Sequence, residues 1–396
     1  MPHRERSELI RKIQERRQSK VICYLTSLRP NVPAAMSDDA VRVMFDYLLR
    51  LEKKPIPRLD IFLCTNGGSG TVPWRMVSVF REFSKSLGVL VPYRAYSAGT
   101  LLALGADEIV MHPFAELGPI DPTVGNPFNP IEQGSGRRIG ISVEDVRAYI
   151  SFVKSSGITH EDELIKAIEI LANKVHPLAL GNVERFLQQS RMIATKIMRT
   201  HCKRADDHKI KEIVENLASK LYFHGHPINR KEAKEDLKLQ VKEVPEVEDD
   251  MWKLYLDFES EFENQKEYNP IADMAAVQLS NDSQATSVPP PAKDSPLGSP
   301  GAPPSKEYEL LHTVIEDCNF CSRQVSRRRV SQIPPGQPGH PEFREELLGL
   351  GWSHSEEEPG AAPARVGLKE AEDTRTAPLA RGKRPAMRHR RERVPK

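Results

Sequence analysis

Between Lys20 and Pro113, apolar runs alternate with amphipathic stretches at a pitch that few folds accommodate. "KVICYLTS" (Lys20–Ser27), "RLDIFLCT" (Arg58–Thr65), "GVLVPYRAY" (Gly88–Tyr96) and "DEIVMHP" (Asp107–Pro113) each have strand character. Between them, Asp39–Leu51 and Val72–Leu87 carry helical periodicity, and "SAGTLLALGA" (Ser97–Ala106) is a run of small and apolar residues that suits a helix. Buried strands separated by helices predict parallel βαβ units in an α/β layer.

Flanking segments are read from composition and period. Residues 1–19 form a charged helix with Leu9, Ile10 and Ile13 as a thin apolar stripe. From Ser142 to Lys220 the pattern is mostly helical, and Pro177–Lys203 reads as a helical arm that packs on a partner. "NRKEAKEDLKLQVKEV" (Asn229–Val244) gives one more helix and a strand. The chain has 32 prolines, concentrated in its last third, and "SNDSQATSVPPPAKDSPLGSPGAPPS" lacks the apolar content to build a core. The expected division is a helix at 1–19, a folded α/β domain at 20–265 and a mostly disordered Pro/Gly/Arg-rich tail at 266–396. A weak helix is expected within that tail at Tyr308–Cys318.

Bulk properties exclude several classes. A formal net charge of +2 names no partner, and five cysteines without framework spacing fit a reducing compartment. No stretch approaches the ~18 apolar residues of a membrane span, and the charged start has no secretory core. A cytoplasmic protein is expected, with peripheral membrane association left open. No Walker or dinucleotide glycine motif occurs, so no cofactor is expected. "CNFC" (Cys318–Cys321), near His312, is half a zinc site without its second pair, so no metal is expected and the thiols read as a solvated pair. The basic end "RGKRPAMRHRRERVPK" has no interleaved aromatics, so no nucleic-acid partner is expected.

The chemistry concentrates at two places. "CTNGGSG" (Cys64–Gly70) empties a buried strand into glycines, whose amides approach a ligand without a side chain in the way. About 30 residues on, Ser97 falls where a strand ends and a helix begins, with helix N-terminal amides behind it. Together these offer two backbone donors to one developing oxyanion, with Ser97 positioned to attack.

Four motifs carry a resemblance: "CTNGGSG", "AYSAGTLLALGADEIVM", "ELGPIDPTVG" and "HGHPINRKEA". From Lys20 to Val244 the chain resembles the ClpP/crotonase superfamily. Within it, the chain is similar to the SppA-related prokaryotic serine peptidases often labelled serine dehydrogenase proteinases. The resemblance implies a ClpP/crotonase-like core, a peptide or protein substrate, a homo-oligomer and Ser97 as nucleophile. It also implies an oxyanion hole from the Gly67–Gly68 turn and Ala98, through the Gly68 and Ala98 amides. Asn66 departs from the proline usual in the family's glycine turn. The base is open. His226 oriented by Asp121 is the first reading, with His224 as its near neighbour, and Lys154 is the alternative base in the manner of the lysine-dyad relatives. Two rival classes are an acyl-CoA enzyme of crotonase type and an inactive scaffold of the same fold.

Overall fold

The computed structural model describes residues 3–120, 123–124, 127–132, 138–202, 206–220, 225–275, 305–333 and 342–356. The chain runs α1 (His3–Arg17), β1 (Lys20–Thr26), α2 (Asp38–Leu49), β2 (Ile56–Cys64), α3 (Val72–Phe83), β3 (Ser84–Val91), β4 (Arg94–Ala95), α4 (Ala98–Ala103), β5 (Glu108–Met111) and β6 (Glu116–Leu117). Then come β7 (Thr123–Val124), β8 (Ile141–Ser142), α5 (Val143–Ser155), α6 (Glu161–Lys174), α7 (Pro177–Met198), α8 (Asp207–Glu215), β9 (Ile228–Asn229), α9 (Arg230–Glu235), β10 (Val241–Lys242) and α10 (Pro245–Glu261). Three long strands follow: β11 (Ser305–Glu316), β12 (Phe320–Ile333) and β13 (Glu342–Glu356).

The main sheet has the order β10-β5-β3-β2-β1-β11-β12-β13. Its first five strands are parallel, as the apolar runs predict, and β11–β13 add antiparallel neighbours. Side chains on one face, such as Ile22, Leu59, Ile61, Val89 and Ile109, pack beneath α2, α3, α4, α7 and α8. Those on the other face, such as Val21, Cys23, Phe62, Leu90 and Val110, pack beneath α1 and α10. Burial on both faces explains why these strands are continuously apolar rather than alternating. The chain is a mixed α/β structure of the expected class.

Within the tail expected to be mostly disordered at 266–396, residues 305–316, 320–333 and 342–356 are strands. Ser305–Glu316, expected to be helical around Tyr308–Cys318, is instead the strand that pairs with β1 through Cys23↔Glu316 to Thr26↔Thr313. The strand next to it hides because its inward positions are polar and satisfy one another. Ser322 takes a hydrogen bond from, or gives one to, the Tyr47 hydroxyl at 3.1 Å, Gln324 accepts from Thr313 at 3.2 Å, and Ser326 meets His312 Nε2 at 2.7 Å. Buried polar groups paired in this way build a core face that hydrophobic periodicity does not detect.

Two further expectations change. Cys318 and Cys321 are buried rather than solvated, and the Cys321 thiol donates to Glu316 Oε2 at 3.1 Å. The apolar residues Val183, Leu187, Ile193 and Ile197 of α7 are buried in this chain's own core, so the helix is not a free arm. The exposed apolar surface lies instead on α5 and α6, at Phe152, Ile165, Ile168 and Ile170, with Leu178 at the start of α7. The charged first helix is anchored by Arg6, whose guanidinium reaches Asp257 at 2.6 Å on α10 and Glu316 at 2.9 Å on β11.

Candidate active site

A second small sheet, β4-β6-β9, stands at the carboxyl edge of the parallel strands, the edge at which open α/β sheets bind ligands. Its registers are Ala95↔Leu117 and Leu117↔Ile228. Ser97, Pro119 and His226 therefore lie just past the same end of that sheet. Two strand spacings separate the backbones of Ser97 and His226, roughly 10 Å.

Ser97 sits between β4 and α4 with φ 50° and ψ −108°. A residue with a Cβ in this region costs on the order of 1–3 kcal/mol, and such strain concentrates at functional sites. The sharp strand-to-helix turn leaves the hydroxyl clear of its own backbone. No hydrogen bond engages the Ser97 side chain among the described residues. The helix behind it is held by Thr100, whose hydroxyl lies 2.7 Å from Ala95 O and 2.8 Å from Gly118 O. Gly99 is required there, since a Cβ would come within 2.6 Å of Thr65 Cγ2.

The glycine turn packs directly on this elbow. Gly67 has φ 103°, and a side chain there would come within 2.9 Å of Ser97 Cβ and 3.2 Å of the Ala98 amide. Gly68 is held by the segment before α2: Met36 N–H donates to Gly67 O at 2.8 Å and Ser69 N–H to Met36 O at 2.9 Å. The Gly67 amide donates to Thr65 Oγ1 at 3.0 Å, and Thr65 is fixed in turn by Thr26 at 2.7 Å. Of the expected glycine donors, Gly67 is thus already engaged. The amides of Gly68 and Ala98 have no partner among the described residues, Ala98 because the first turn of a helix has no acceptor for it.

The candidate bases fare differently. His226 Nε2 lies 2.8 Å from Glu232 Oε1, in the first turn of α9. Sequence reasoning did not single out Glu232, although it lies six residues on in the same motif. Lys154 is exposed in the last turn of α5. Asp121 and His224 lie outside the described residues. Thr65, Thr100 and Met36 were also missed, because single threonines and a methionine carry no motif signal. Among the described residues, no group of three or more His, Cys, Asp or Glu side chains could hold a metal ion, and no helix is long and apolar enough to cross a membrane.

Fold and site together define a class: a mixed α/β protein with a serine at a strained elbow beside a glycine turn. Within that class, residues 2–174 match the family of ClpP-like SDH-type serine proteinases. The match agrees with the resemblance read from the motifs and contains Gly68, Ser97 and Lys154, while His226 lies beyond it. Two uncharacterized proteins of Methanocaldococcus jannaschii are similar. MJ1495 is 26% identical over 239 residues, which is 58% of this chain and 70% of that one. MJ0137 is 25% identical over 258 residues, 63% of this chain and 78% of that one. Among solved structures, the membrane-bound stomatin-specific protease 1510-N, in mutant form, aligns with a TM-score of 0.24 and 22% identity. It covers 35% of this chain, which in turn spans 63% of that structure's length.

Proposed function

We propose that this chain is a serine peptidase that cleaves peptide bonds through an acyl-enzyme on Ser97. The observation that carries the reading is the strained Ser97 elbow packed against the glycine turn, with the Gly68 and Ala98 amides unengaged beside it. Ser97 Oγ attacks the peptide carbonyl as its proton passes to a base, and the two amides hold the oxyanion that forms. Collapse expels the amine, which takes up that proton, and water then hydrolyses the ester.

His226 is the proposed base and Asp121 the group that orients it. Neutral imidazole is suited to this transfer near pH 7. This assignment requires His226 to leave Glu232 and turn toward Ser97 as substrate seats. Lys154 remains the alternative, and its exposure weighs against it, since a lysine base needs desolvation to be neutral at pH 7. Fluorescein-labelled casein tests the assignment. Ser97→Ala is expected to fall to the buffer rate, His226→Ala to a small residue of activity, and Lys154→Ala to keep most of its rate. An inactive Lys154→Ala beside an active His226→Ala overturns the choice of base.

A homo-oligomer belongs to the same proposal. The exposed apolar residues of α5 and α6 support it, being more than a helix pair ordinarily shows to water. Light scattering is expected to give a multimer, and a monomer at micromolar concentration would sink this part.

A further inference from the structure

Arg94 forms no ion pair among the described residues, although it is only partly exposed and stands three residues before Ser97. Its guanidinium carbon lies 4.5 Å from the Tyr93 ring centroid and 5.1 Å from that of Tyr96. Its Nη1 is 3.5 Å from Asn66 Oδ1, at the head of the glycine turn, and its Nη2 donates to the Tyr93 hydroxyl. Its Nε is buried without a partner. Its cross-strand neighbour Glu116 forms no direct ion pair with it among the described residues and accepts from the Tyr96 hydroxyl at 2.5 Å, while Glu259 accepts from the Tyr255 hydroxyl at 3.0 Å.

A partly desolvated guanidinium with no carboxylate in hydrogen-bond contact keeps N–H donors to offer, and two ring faces take up only part of its charge. Asn66 is the residue at which this chain departs from the proline of the related turns. As asparagine it accepts from Arg94 through Oδ1 and leaves its NH2 group to donate outward. A planar guanidinium and an amide side by side match the geometry of a carboxylate.

We propose that Arg94 and Asn66 form a carboxylate-binding subsite of the active site, so that preferred substrates present an acidic side chain or a free C-terminus there. The proposal rests on reading Ser97 as the nucleophile. Asn66 lies two residues from Gly68, and two extended residues span roughly 7 Å. The carboxylate therefore falls within about two residues of the bond that is cut.

Binding to full-length Ser97→Ala separates this proposal from the hydrolysis it rests on. The probes are fluorescein-labelled alanine-based nonapeptides read by fluorescence polarisation. In one series a single Glu or Gln is scanned along the peptide, and in a second the C-terminus is a free acid or an amide. One matched pair is expected to favour the carboxylate by about tenfold, and the series in which it appears identifies the source. The ratio is expected to fall toward one in Arg94→Gln, to drop in Arg94→Lys and Asn66→Pro, and to shrink in about 0.5 M salt. A purely structural Arg94 would weaken both members of a pair equally and leave the ratio unchanged. No discrimination in any pair, or discrimination that survives both Arg94 variants, overturns the subsite. Failure of the nucleophile reading shows separately, as wild-type protein that selects carboxylate peptides but does not cleave them.

Discussion

At position 68 the backbone leaves no room for a side chain. A Cβ would come within 2.4 Å of both the Met36 nitrogen and oxygen, and those are backbone atoms that cannot swing aside. Gly68→Ala is therefore expected to push the turn off the elbow and withdraw one oxyanion donor. Peptide hydrolysis should fall by about 10²–10³ in kcat, the usual cost of such a donor. A variant with the wild-type rate would show that the Gly68 amide takes no part. The glycines and Ser97 were legible in the sequence because strand, turn and helix signals bracket them. Their supports were not. Thr65 acts through contacts with Thr26 and Gly67, and Thr100 by tying α4 to β4 and β6, and nothing local marks either role.

The elements are fastened at the opposite, amino end of the sheet by charge. Burial on its own would raise the Glu108 carboxyl, but hydrogen bonds from Lys242 and Arg17 and the charges of Arg17 and Arg58 prevail. They hold it at about 2, below an ordinary 4.5. A depressed carboxylate stabilises the fold fully above its unfolded pKa, and that contribution is lost as pH falls through the folded one. The melting temperature is thus expected to fall between about pH 4.5 and pH 2, and Glu108→Gln should flatten that limb. An unchanged limb in the variant would place the acid sensitivity elsewhere. Strands such as β1 and β2 were legible because both faces are apolar. In contrast β12 was not, since Ser322, Gln324 and Ser326 face inward and the segment reads as a polar tail. The contacts that make it a strand come from His312, Thr313 and Tyr47, residues distant in sequence or on another strand.

Across the whole chain, the C-terminal strands are part of the architecture rather than an appendage. They cover the edge of β1, and Glu316 receives the buried Arg6 guanidinium. Deleting residues 305–396 is expected to expose that edge and to take Glu316 from the buried Arg6, leaving Asp257 to hold it, so aggregation or a loss of stability should follow. A truncated protein that stays soluble and melts at the wild-type temperature would contradict this. Everything proposed about activity depends on Ser97 being a nucleophile. That is settled by incubating the full-length protein with a fluorophosphonate probe and locating the adduct by mass spectrometry. The expected result is one covalent adduct at Ser97, absent in Ser97→Ala. A folded wild-type protein that takes up no probe, or takes it up at another serine, would contradict the account.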